Sequence, residues 1–188
     1  MSRTRRPASL LSLAVLLAAT LAPAAAGQRA KRDHLTPQEI DVVRDAQALD
    51  VRAGVFIKAV ERRLRIIFSQ TAPDTKQEKQ IAEVLGALPQ GSRAELLYDI
   101  AHILDEAIEN VDDASQRNPK SPLLPKAVRK LSDASARFLA QLTPLRDTIT
   151  DRAEREQLEQ AIDNAQQIVE AAKKLPADES KEKPGKKA

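Results

Sequence analysis

The chain has no cysteine, no tryptophan, one tyrosine, three phenylalanines and two histidines in 188 residues. Each shortage closes a class of function. Without cysteine there is no disulfide frame, no thiolate nucleophile, no iron–sulfur cluster and no thiolate-ligated zinc. A cage of several histidines needs more than two of them. So few rings leave no stacking platform for single-stranded nucleic acid. Only Gly54, Gly86 and Gly91 lie between residues 28 and 184, too few for a phosphate-cradling loop or a set of β-turns. There is no G-x-S-x-G elbow and no EF-hand loop. The sequence therefore assigns no catalytic residue, no metal ligand and no cofactor.

What is present begins with an address. Arg3, Arg5 and Arg6 precede an apolar run over residues 10–22, and Pro23 and Ala24-Ala25-Ala26 follow. This is the three-part pattern of a secretory signal peptide over residues 1–26, with Ala24 and Ala26 as the small cleavage-site residues and Gly27 as the first mature residue. The run is 13 residues long, short of the roughly 20 that span a bilayer. An uncleaved anchor is the alternative. The Arg5-Arg6 pair invites twin-arginine export, but Pro7-Ala8-Ser9 lacks the bulky apolar residues expected after such a pair, which favours the general secretory route. The expected location is periplasmic or extracellular. Removing residues 1–26 takes away three arginines and no acid, leaving 27 basic against 27 acidic residues. The basic balance of the precursor thus gives no ground for nucleic-acid binding. No transmembrane segment is expected after residue 26.

The remainder reads as helix. Leu, Ala, Glu, Gln, Lys and Arg dominate, all good helix formers. Thr36-Pro37-Gln38-Glu39 is a capping box with proline at the first helical position. Asp50 is a candidate cap for a second helix to about Gln70. Residues 71–74 read as a break, and Thr75 with Glu78 as the cap of a short helix ending near Gly86. Ser92-Arg93-Ala94-Glu95 opens a long helix to Arg117. Ser121-Pro122 begins another, which reaches Leu142 before Pro144. Thr150-Asp151 starts the last, which Pro176 closes.

Three of these helices carry apolar seams. Leu97, Ala101, Leu104, Ile108, Val111 and Ser115 are spaced alternately four and three apart. Leu124, Val128, Leu131, Ser135, Phe138 and Leu142 repeat that spacing, as do Leu158, Ile162, Ala165, Val169 and Ala172. Such seams pack helices at about 20°, and short connections make chain neighbours antiparallel. The expected fold is all-α, an up-and-down bundle of five to six helices with three long C-terminal ones. One domain is expected over residues 35–176, after a flexible stretch at 27–34 and before a disordered charged tail at 177–188. Leu35–Phe68 resembles small exported bacterial helical proteins, a resemblance that maps no functional residue.

Charge is segregated. Glu95, Asp99, Glu106, Glu109 and Asp113 fall on one stripe of their helix, with His102 among them, opposite the Leu97/Leu104/Ile108 seam. This stripe reads as a solvated face, as the neighbour of a basic helix, as a dock for a basic protein partner, or as a weak Ca²⁺ surface. Asp99 and His102 have the acid-x-x-His spacing of di-metal bundles, but the second such motif is missing. Arg62, Arg63 and Arg65 lie on an amphipathic helix with Phe56, Val60, Ile67 and Phe68. They read as a charged outer face or as a contact with an anionic membrane surface. The expected activity is non-enzymatic binding, as a scaffold or chaperone-like accessory. A metal- or small-ligand-binding bundle and a peripheral membrane protein are the alternatives.

Overall fold

The computed structural model describes residues 32–69 and 76–176. The expected signal segment with Ala24, Ala26 and Gly27, the break at 71–74, the cap at Thr75 and the charged tail lie outside the described residues. Six α-helices appear, and among the described residues there is no strand: α1 (Pro37–Asp45), α2 (Leu49–Ile67), α3 (Lys76–Leu85), α4 (Arg93–Arg117), α5 (Leu123–Leu142) and α6 (Arg152–Lys173). A 3-10 turn over Thr143–Asp147 carries Pro144 between α5 and α6.

Local sequence explains most of the boundaries. Both capping boxes form, Thr36 with Glu39 and Ser92 with Glu95. Asp151 accepts from the Glu154 amide and caps α6. Gly86 takes φ 71° at the end of α3, a left-handed position that glycine adopts without steric cost. Asp50 is not a cap. Helix α2 begins one residue before it, at Leu49 after Ala48, so Asp50 lies in the first turn, where a carboxylate still favours the helix dipole.

Helices α2, α4, α6 and α5 form a ring around one core, each packed on the next, whereas the consecutive helices α4 and α5 barely touch. The short connections do reverse the chain. The two long-range partnerships that result are parallel: Arg93 and Ala101 of α4 meet Glu154 and Asn164 of α6, and Gly54 and Glu61 of α2 meet Lys130 and Arg137 of α5. Leu97, Leu104, Leu131, Phe138, Leu158 and Ile162 fill the centre. Helix α1 lies on α2, and α3 packs on α1 with Leu85 also against Val55 of α2. None of the described helices is long and apolar enough to cross a membrane.

The seams are correct in their central turns and incomplete at their ends. Ser115 is exposed, because α4 runs past its neighbours there. Leu96, Ile100, Ile103 and Ala107 are buried as well, so the first half of α4 is enclosed by α2 on one side and α6 on the other. Ser135 is 1% exposed and its Oγ has no hydrogen-bond partner. An unpaired buried hydroxyl costs about 1–3 kcal/mol. Ser135→Ala is therefore expected to raise the urea midpoint at unchanged slope, and a lowered midpoint would show that the hydroxyl is bonded after all.

Candidate functional site

The chemistry of this molecule is concentrated where α1, α2, α4 and the end of α3 meet. Glu39 is the third residue of the α1 capping box, and its Oε2 accepts from the Thr36 amide at 2.9 Å. The same carboxylate is fully buried and meets two adjacent arginines of α2. Its Oε1 accepts from Arg62 Nη1 at 2.8 Å and Arg63 Nη1 at 3.0 Å, and its Oε2 accepts from Arg63 Nη2 at 2.9 Å. A carboxylate offers about four acceptor sites, and all are used.

Arg63 uses every donor of its guanidinium. Besides Glu39, it donates to the carbonyls of Ala59 at 2.9 Å and His34 at 2.6 Å, and its Nε reaches Asp99 Oδ2 at 3.4 Å. Arg62 turns the other way and binds the end of α3. It donates to the carbonyls of Leu85 at 2.8 Å, Gly86 at 2.8 Å and Ala87. These are the groups that a helix C-terminus leaves unpaired, so Arg62 caps α3 from another helix. Burial pushes the Arg62 guanidinium below its ordinary pKa; Glu39 pulls it back up, and Arg63 adds to the lowering. Two arginines and two acids thus balance in charge inside the fold.

This placement corrects two expectations. Arg62 and Arg63 are 2% and 1% exposed, so they present no charge to a membrane surface; Arg65 alone of the three is half-buried. The reason is phase. Arg63 follows Phe56 by seven residues and Ala59 by four, which puts it on the apolar stripe of α2. That spacing was the available signal, and the partner that makes such burial tolerable, Glu39, is 24 residues away. Asp99 likewise leaves the acidic stripe. It is 1% exposed and turned to Arg63, because α2 covers that side of α4.

The remaining stripe residues separate by role. Glu95 is exposed and spent on the Ser92 cap, accepting from the Ser92 amide at 2.7 Å. Glu106 holds His34 Nε2 at 2.7 Å. Glu109 and Asp113 stay exposed on the outer end of α4. His102 packs its ring 4.1 Å from that of Tyr98 and 5.8 Å from that of His34.

Above the ion cluster lies an apolar cleft. Helix α3 packs closely on α1 and meets α2 near its C-terminal end, where Leu85 shares an apolar cluster with Val55, and a groove of about 300 Å³ opens between α2 and α3. Its floor is Val42 and Val55, and its walls are Val51 of α2 with Ile81, Val84 and Leu85 of α3. Val51 is 54% and Val84 57% exposed; with Leu88 they are the exposed large apolar side chains among the described residues. The sequence signal for this cleft was the apolar face of α3, which the ring of long helices does not consume.

Fold and site together define a four-helix ring with an accessory helical pair, fastened to it by a buried Arg–Glu–Arg–Asp cluster. The chain matches no protein-family model, no curated protein and no solved structure.

Proposed function

We propose that this is an exported, non-enzymatic binding protein that accepts the apolar face of a partner's helix in the cleft between α2 and α3. The observation that carries the reading is the pairing of Val51 and Val84 across that cleft at more than half exposure. Exposed apolar side chains scattered singly mean little, whereas a lined groove between two helices suits an amphipathic helix laid into it. The inward polar groups support the same reading. Glu39, Arg62, Arg63 and Asp99, the groups a buried catalytic centre would draw on, bind one another and backbone carbonyls. Export rests on the signal-like pattern of residues 1–26.

The test is photo-crosslinking in intact cells from residue 84. One dominant protein adduct is expected, with the captured chain cleaved before Gly27 and found in the cell envelope. Val51→Asp should remove that adduct and leave the melting curve within about 0.5 kcal/mol of the parent, as for other exposed substitutions. An adduct that survives Val51→Asp, or none at all, overturns the cleft as the binding surface. An uncleaved cytoplasmic chain overturns export.

A further inference from the structure

The chain contains two histidines in 188 residues, 68 positions apart. The fold brings them together. His34 lies in the segment just before α1, and His102 lies on α4, with their ring centroids 5.8 Å apart. Glu106 stands one helical turn beyond His102, on the same face of α4, and is already bonded to His34 Nε2 at 2.7 Å. His34 is held from behind, because its own carbonyl accepts from the buried Arg63. The site is open to solvent, with the His34 side chain 28% and the Glu106 side chain 31% exposed.

We propose that His34, His102 and Glu106 form a site for a divalent transition-metal ion of borderline softness, of the Cu²⁺ or Zn²⁺ kind. Two imidazoles and one carboxylate suit such ions. Metal–nitrogen bonds of about 2.0–2.1 Å place two rings that share an ion roughly 5–6 Å apart, centre to centre. The His34–His102 separation already falls in that range. Among the described residues no three donors yet surround an ion-sized centre. Closure therefore requires His102 to turn about its side-chain bonds toward His34, while the ion takes the place of the proton shared by His34 Nε2 and Glu106 Oε2. That proton leaves to solvent. The Asp99 of the acid-x-x-His spacing plays no part, since its carboxylate is buried against Arg63.

The single tyrosine reports on this site directly. Tyr98 packs on His102 at 4.1 Å, and there is no tryptophan to mask it. The experiment is a Cu²⁺ titration of the full chain, carrying no oligohistidine tag, followed by tyrosine fluorescence, with Zn²⁺ as competitor. Saturable quenching at one equivalent is expected, reversed by an excess of Zn²⁺. Loss of an outer-shell partner of a metal typically costs about 10–100-fold in affinity. His34→Gln and His102→Gln remove ligands and should each weaken binding by at least about tenfold, while Asp99→Asn, if folded, should not. His102→Gln is the second ligand variant and keeps the test open should His34→Gln loosen the fold. Quenching that does not saturate, or equal Cu²⁺ affinity in both histidine variants and the parent, overturns the site.

Discussion

Glu39→Gln is expected to destabilise the protein by about 3–5 kcal/mol, the usual consequence of removing one member of a buried ion pair. The amide keeps the shape of the carboxylate and loses its charge. It also brings two N–H groups to a place where four donors already converge: Thr36 N, Arg62 Nη1, and Nη1 and Nη2 of Arg63. Two guanidiniums are then left inside the fold with Asp99 at 3.4 Å as their remaining acid in the cluster. For a chain of this size the loss corresponds to a drop of roughly 6–20 °C in melting temperature. Replacing the four charges together, as Glu39→Leu with Arg62→Met, Arg63→Met and Asp99→Asn, should recover part of the loss, because uncharged side chains of similar volume carry no charge-desolvation penalty, while the carbonyls at the end of α3 still lose Arg62. Chemical denaturation of the three proteins checks both statements. A single-variant loss under about 1 kcal/mol would show that solvent reaches the cluster.

Arg62→Met should act locally and strongly. Helix α3 has 10 residues, fewer than the roughly 12–15 an isolated helix needs to persist in water. It packs on α1 and on Val55 of α2 and is held at its C-terminus by the three carbonyl bonds from Arg62. Methionine fills the space and supplies none of those bonds. Hydrogen exchange of the amides in residues 81–86 should accelerate by at least about a hundredfold, equivalent to roughly 2.7 kcal/mol at 1.36 kcal/mol per decade, while amides in the second half of α6 change far less. Since α3 is one wall of the cleft, partner capture from residue 84 should fall with it. Uniform acceleration across all helices would mean that Arg62 supports the whole ring and not α3 in particular.

The elements were the most legible part of this chain, and the reasons are local. A capping box, a proline at a first turn and a glycine at a helix end act over four or five residues, so Thr36, Ser92, Asp151 and Gly86 could be read without knowing the fold. The apolar seams were legible along the line that faces the centre of the ring, as at Leu131, Phe138 and Ile162. They were incomplete at the flanking positions of α4, where Leu96, Ile100 and Ile103 are also buried between α2 and α6. Arg62 and Arg63 illustrate the boundary best. Their composition suggests an exposed basic face, and their phase along α2 contradicts it. Choosing between the two needs the position of Glu39, which no pattern within α2 contains.

The all-helical class, the number of long helices and their caps follow from the sequence by itself, because backbone hydrogen bonding and side-chain periodicity within one helix are satisfied by near neighbours in the chain. Which helices lie side by side, which charges are buried and which two histidines meet were decided only by tertiary structure. Those outcomes depend on residues 24 to 72 positions apart sharing one acceptor or one ring contact, and the free energy of burying an arginine changes sign with whether such a partner has arrived.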